Sequence, residues 1–143
     1  MMEELVFETP AKEALVDITD AVQEAVRCSG IHDGLCFIFC PHTTAGLTIN
    51  ESADPAVGRD IVRGLDRILG DGAGWEHAEG NSPAHIKASL IGSSVTIGIS
   101  DGQLALGTWQ GIFLCEFDGP RRRRVWVRLL IAGKEELGLS LPH

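Results

Sequence analysis

The sequence contains no tyrosine, and only three tryptophans and five phenylalanines in 143 residues. A surface built to stack nucleobases is therefore disfavoured. Positive charge is also scarce. Twelve Lys and Arg stand against 20 Asp and Glu, for a net charge of −8. A general affinity for nucleic acid or an anionic membrane is unfavourable at that balance. No apolar run approaches the roughly 20 residues that span a bilayer. The opening "MMEELVFETP" carries acids where a signal peptide carries lysines. The expected location is the cytoplasm. Three catalytic signatures are missing: a G-x-S-x-G elbow, a P-loop ending in GK[ST], and a C-x-x-C pair. The four cysteines, Cys28, Cys36, Cys40 and Cys115, read as buried, reduced thiols. Cys36 and Cys40 would lie about 13 Å apart on an extended strand, too far to share a metal.

What is present fits one domain over residues 1–143, with apolar content of 44% and charged content of 22%. "ELVFETP" reads as a strand that stops at Pro10. Ile18, Val22, Ala25 and Val26 recur at helical spacing, with Asp17 or Thr19 as cap and Ser29-Gly30 as stop. "GLCFIFC" (34–40) is apolar at every other position on both faces, which predicts a strand covered on both sides. A second strand around Leu47 and Ile49 is expected to form a hairpin with it. Asp54-Pro55 starts a helix with a stripe of Val57, Ile61, Leu65, Ile68 and Leu69, closed by Gly70. A glycine-rich loop follows, and then a short helix from Ser82-Pro83 to about Leu90. Strands fill the rest, with Asp101-Gly102 as a hairpin turn. The fold class is α+β: a mostly antiparallel, sandwich-like sheet with two main helices and one short helix packed on it.

The candidate chemistry lies at element ends. Of five histidines, His143 is terminal and His32 falls in a turn. His42, His77 and His85 remain. An unbroken helix would hold His77 and His85 about 12 Å apart. Gly80 and Pro83 rule out such a helix, so the chain can fold back and bring both to His42. Three neutral imidazoles with an open position suit a zinc-like ion. The same spacing also suits three separate, hydrogen-bonded loop histidines. The helix start at Asn81-Ser82-Pro83 offers free N–H groups to an anion, and His85 and Ser89 share its face. Arg121 to Arg124 is the only dense basic run, and on a strand Arg121 and Arg123 point the same way. Glu116 and Asp118 can pair with it or hold Mg²⁺. "GTWQG" places Trp109 and Gln110 at a kinked strand junction.

Three segments in this order, "PHTTAGLTINE", "WEHAEGNSPAHIKASLIG" and "GTWQGIFLCEFDGPRRR", resemble the YjbQ family of secondary thiamine-phosphate synthases, over about residues 5–132. The resemblance implies an α+β fold, a homotrimer, and a polar site at His42, Thr43, Thr44, Asn50, Glu51, His77, Asn81, His85, Gln110, Glu116, Asp118 and Arg121. The implied activity joins a pyrimidine pyrophosphate to a thiazole phosphate. Such a site would use His42, His77, His85, Glu51 and Asn81 for catalysis. Thr43, Thr44, Asn50, Ser89, Trp109, Gln110, Glu116, Asp118, Arg121 and Arg123 would bind substrate. The three histidines would hold a divalent metal, Zn or Mg. The implied partner is a phosphorylated small molecule. Two other classes suit the same residues: a metal-dependent hydrolase of phosphate or acyl esters, and a non-enzymatic small-anion binding module.

Overall fold

A computed structural model describes residues 2–70 and 74–133. Part of the expected glycine-rich loop (71–73) and the terminal His143 lie outside the described residues.

The elements run β1 (Met2–Glu8), β2 (Ala14–Asp17), α1 (Thr19–Ser29), β3 (Gly34–Phe39), β4 (Ala45–Glu51), α2 (Pro55–Leu69), α3 (Ser82–Ile91), β5 (Ser94–Ser100), β6 (Gln103–Leu104), β7 (Gln110–Glu116) and β8 (Arg122–Ile131). They build two antiparallel sheets, one in the order β1-β8-β3-β5-β6 and a smaller one in the order β2-β7-β4. Alternating residues of both meet in one core: Cys36, Ile38, Ile97, Val125 and Val127 from the large sheet, and Leu47, Ile112 and Leu114 from the small one. Val22 and Val26 of α1 complete it. The outer face of the small sheet packs Phe113, Cys115 and Leu15 against Ala84, Ala88 and Ile91 of α3 and Leu65 of α2. The fold is α+β: α1 packs into the core shared by the two sheets, and α2 and α3 lie on the outer face of the small sheet.

Four sequence expectations change. β2 was not anticipated; its four residues are too few to show a period, and β7 recruits it as a neighbour, pairing Leu15 with Cys115. β3 and β4 are not a hairpin. β3 pairs with β5 and β8, and β4 pairs with β7, so the chain crosses between sheets at the Pro41-His42 corner. β3 is covered on one side only, since Leu35 and Phe37 face outward at 47% and 37% exposure. The strand buried on both faces is β7. Finally, Cys28 is exposed on α1, whereas Cys36, Cys40 and Cys115 are buried and free.

Local chemistry explains the element ends. Asp17 Oδ1 accepts from the Thr19 N–H at 2.9 Å and from Thr19 Oγ1 at 2.6 Å, and Thr19 Oγ1 accepts from the Ile112 N–H at 2.9 Å. The start of α1 is thereby tied to β7. Asp54 caps α2 by accepting from the Ala56 N–H at 2.9 Å, with Pro55 at the first helical position. Asp101 and Gly102 both have positive φ, 52° and 75°, as the two-residue β5–β6 turn requires. Among the described residues, no helix is long and apolar enough to cross a membrane.

Candidate functional site

The crossing from β3 to β4 places residues 41–45 beside α3. α3 lies close against β4: a Cβ on Gly46 would sit 2.6 Å from the Gly92 carbonyl oxygen. The Leu47 N–H donates to that same oxygen at 3.0 Å. Between the two segments opens a cavity of about 380 Å³, lined by His42, Thr43 and Ala45 on one side and His85, Ala88 and Ser89 on the other. Asn81, His85 and Ser89 are spaced four apart, so they run up one face of α3. Of the three histidines expected from sequence to converge, His42 and His85 line this one cavity, and Ser89 lines it beside His85. His77 lies next to it, its ring edge-on to that of His85 with centroids 5.2 Å apart.

His42 is half-buried, and its Nε2 accepts from the Arg124 N–H at 2.9 Å. In the neutral ring the proton then sits on Nδ1. Burial, followed by the nearby Arg123 guanidinium, holds its pKa below the usual imidazole value. His42 is thus a neutral donor near pH 7.

Beneath the pocket lies a buried polar cluster. Arg123 Nε donates to Glu116 Oε1 at 2.8 Å, and its Nη2 donates to Glu116 Oε2 and to Thr44 Oγ1, the latter at 2.9 Å. Thr9 Oγ1 donates to Glu116 Oε1 at 2.6 Å. Burial pushes the Glu116 carboxyl up. Arg123, the Thr9 hydroxyl and the Asp118 N–H together more than offset this and hold it below the usual range. Next to this cluster Asp118 Oδ2 accepts from Asn81 Nδ2 at 2.9 Å and from Arg121 Nη2 at 3.0 Å. Asn81 lowers the Asp118 pKa most, against the opposing effect of burial, and Arg121 lowers it further. Asn81 consequently does not cap α3 with its side chain, and its Oδ1 is shielded with no partner among the described residues.

Three expectations do not hold within one chain. Asn50, Glu51, Trp109 and Gln110 sit at the opposite end of the small sheet, because Ala45 pairs with Glu116 and Glu51 with Gln110. The six steps of β4 between those pairs separate the groups by roughly 20 Å. There Gln110 Oε1 accepts from the Gly107 N–H at 2.8 Å, and Trp109 is 63% exposed. Arg121 and Arg123 serve different carboxylates, Asp118 and Glu116. The three-histidine metal set also does not form: among the described residues no group of three or more His, Cys, Asp or Glu is arranged to hold a metal ion. Sequence reasoning missed Thr9. Its one signal was a hydroxyl just before the strand-ending Pro10, which is too common to stand out.

Residues 3–132 match the family described as UPF0047 protein YjbQ-like. A UPF0047 protein of Methanocaldococcus jannaschii is 52% identical over 124 residues, covering 87% of this chain and 90% of that protein. The UPF0047 protein YugU of Bacillus subtilis is 43% identical over 135 residues, covering 91% and 99%. A crystal structure of a YjbQ/UPF0047 family protein from Clostridium acetobutylicum superposes with a TM-score of 0.87 at 53% identity, covering 90% of this chain and 99% of that one. A YbjQ-like protein from Sulfolobus solfataricus gives a TM-score of 0.87 at 35% identity, covering 92% and 97%. Sequence and fold together assign this chain to the YjbQ/UPF0047 family.

Proposed function

We propose that the pocket between residues 42–45 and α3 is the active site of a cytoplasmic transferase for phosphorylated small molecules, with thiamine-phosphate synthase-like activity. The observation that carries the reading is the pairing of a neutral, donor-poised His42 with His85 and Ser89 across one cavity, beside the Arg123–Glu116 and Arg121–Asp118 pairs.

The reaction asks for anion binding more than for a strong base. A thiazole nitrogen attacks the pyrimidine methylene carbon, the carbon–oxygen bond breaks, and pyrophosphate leaves with the electron pair. Negative charge grows on the leaving oxygen. His42 Nδ1–H and the half-exposed Arg121 guanidinium are donors suited to it, whereas the Ser89 hydroxyl donates to the His85 carbonyl at 2.9 Å and offers the pocket only acceptor lone pairs. The three histidines do not fit a divalent metal within one chain, so no step is assigned to one. Mg²⁺ arriving on pyrophosphate oxygens needs only one or two protein carboxylates, and Asp118, whose Oδ1 lies outside its hydrogen bonds to Asn81 and Arg121, is the carboxylate proposed for it.

The assay supplies both phosphorylated precursors with Mg²⁺. Thiamine phosphate is expected to form, and His42→Gln and His85→Gln are each expected to slow it about a hundredfold. No product beside an active control enzyme sinks the proposal, as do unchanged rates in both variants. Chelator-sensitive turnover of simple esters would instead favour the metal-dependent hydrolase. Thermal stabilisation by phosphate without turnover would favour the anion-binding module.

The chain is further proposed to act as a homotrimer. Leu35, Phe37 and Leu130 stand exposed on the outer face of the large sheet, and such a face favours a protein partner over water.

A further inference from the structure

A second cavity lies on the same outer face of the small sheet as α3, but over β2 and β7 rather than at β4, and no histidine lines it. It encloses about 600 Å³ between β2 and α2. Its apolar floor is Leu15, Val62 and Phe113, and its polar wall is Arg59, Arg63, Glu13 and Asp17.

The charged groups of this wall are not equally engaged. Asp17 already accepts from Thr19, and Glu13 Oε1 accepts from Lys87 Nζ at 3.0 Å. Arg59 and Arg63, one turn apart on α2, have no carboxylate within 4.0 Å among the described residues. They leave two guanidinium groups side by side at one end of an apolar slot. At the other end Glu13 Oε2 is shielded from solvent and has no hydrogen-bond partner among the described residues. An acceptor in that state needs a donor.

The direction of α2 sets the spacing. Gly58 of α2 lies over Leu15, and Asp66 of α2 meets Glu13 through the shared Lys87 ammonium. Arg59 and Arg63 precede Asp66 by seven and three residues, roughly 10 Å and 5 Å along the axis, and helical side chains lean toward the N-terminal end of α2, away from Asp66 and Glu13. No residue of α2 is fully buried, so the helix can shift to admit a guest at little packing cost.

We infer that this cavity binds a small organic anion with an apolar body and a donor at its far end, such as an ω-amino acid. Arg59 and Arg63 hold the anionic end, Leu15, Val62 and Phe113 cover the body, and Glu13 takes the donor. The inference is independent of the histidine pocket.

The test titrates the isotope-labelled full chain with 6-aminohexanoate, hexanoate and hexylamine, and follows backbone amide shifts. 6-Aminohexanoate is expected to bind tightest and hexanoate next, with shifts at residues 13–17 and 55–63. Hexylamine is expected to leave those amides unmoved. The double variant R59A/R63A lies on an exposed helix face and is expected to keep its amide spectrum while binding at least about tenfold more weakly, or 1.4 kcal/mol. Glu13→Gln is expected to bring 6-aminohexanoate down to hexanoate. The inference is overturned if those amides do not respond, if hexylamine binds as well as hexanoate, or if R59A/R63A binds as the parent does. Equal affinity of the parent for hexanoate and 6-aminohexanoate removes Glu13 from the site and overturns the two-ended recognition.

Discussion

Glu116 and Arg123 form the most consequential pair at the scale of single residues. Both side chains are almost wholly buried, at 0% and 4% exposure. Removing one partner leaves the other charged in a poor solvent, and such losses run to about 3–5 kcal/mol. Glu116→Gln is therefore expected to lower stability by about that amount in chemical denaturation. Replacing both, as Glu116→Leu with Arg123→Met, is expected to recover part of the loss, because the desolvation cost of two charges goes with them. Thr44 would still lose its donor. His42 supplies a pH test. Its folded pKa lies below the ordinary imidazole value of about 6.5, so the folded state takes up a proton less readily than the unfolded one. The stability it contributes is complete above about pH 6.5 and is lost as pH falls through the folded midpoint. Glu116, also depressed, adds a second loss below about pH 4.5. Denaturation of the parent and His42→Gln at pH 7.5 and 5.5 checks the sign: the variant is expected to lose less stability between them. An equal loss contradicts the role given to His42. The polar identity of these residues was legible in sequence, since an arginine run following two acids predicts pairing. Which arginine turned inward was not, because that depends on β8 being central between β1 and β3.

At the scale of elements, the legible parts were those whose signal is local. α2 and α3 announce themselves through an Asp-Pro and a Ser-Pro start, and the β5–β6 turn through Asp101-Gly102. The illegible parts depend on which sheet a strand joins. "GLCFIFC" looks like a doubly covered strand because its outward Leu35 and Phe37 are apolar, yet among the described residues both stand exposed. β4 looks like its hairpin partner because they are adjacent in sequence, yet the five residues 40–44 at the corner suffice to cross the sandwich. The site exists because of that crossing, which sets residues 42–45 against α3. Gly46 is the contact that lets the two approach. A methyl group there would meet the Gly92 carbonyl at 2.6 Å and Ile91 Cγ2 at 3.2 Å. Gly46→Ala must therefore push α3 away from β4, and overpacking of this kind costs about 1–3 kcal/mol. The expected outcome is a lower unfolding midpoint together with chemical-shift changes at His42 and His85. A fold as stable as the parent's, with both histidines unperturbed, contradicts the tight α3–β4 contact.

The whole molecule is where the outward face of the large sheet acquires meaning. Phe37, Phe39 and Trp126 form a continuous aromatic row across β3 and β8, with ring centroids 6.4 Å and 5.8 Å apart. Leu35 and Leu130, cross-strand neighbours, extend it. Charge stands at one border, where Trp126 Nε1 donates to Glu4 Oε2 at 2.9 Å and Arg124 faces Glu4, and also within the face, where the exposed Arg128 lies opposite Phe37. Aromatic side chains with an arginine among them are the residue types enriched at protein–protein interfaces. Such a face also accounts for the misreading of β3, whose sequence was written for burial that one chain does not provide. The proposed homotrimer would supply it, since each copy needs only about 800 Å² of contact to hold a stable neighbour. Sedimentation of the parent at micromolar concentration is expected to give three times the 15.4 kDa chain mass. The double substitution L35E/F37E places two like charges on the centre of the face and none in the core. It is expected to yield a monomer with an unchanged far-ultraviolet spectrum. A parent that sediments as a monomer removes the trimer, and a variant that stays trimeric moves the interface elsewhere, most directly to the half-buried stripe of α2. The two ends of the small sheet, roughly 20 Å apart in one chain, then become the next measurement: if neighbouring copies bring Trp109 and Gln110 of one chain to the His42 pocket of another, a mixed trimer of His42→Gln and Gln110→Ala chains recovers turnover that neither homotrimer has.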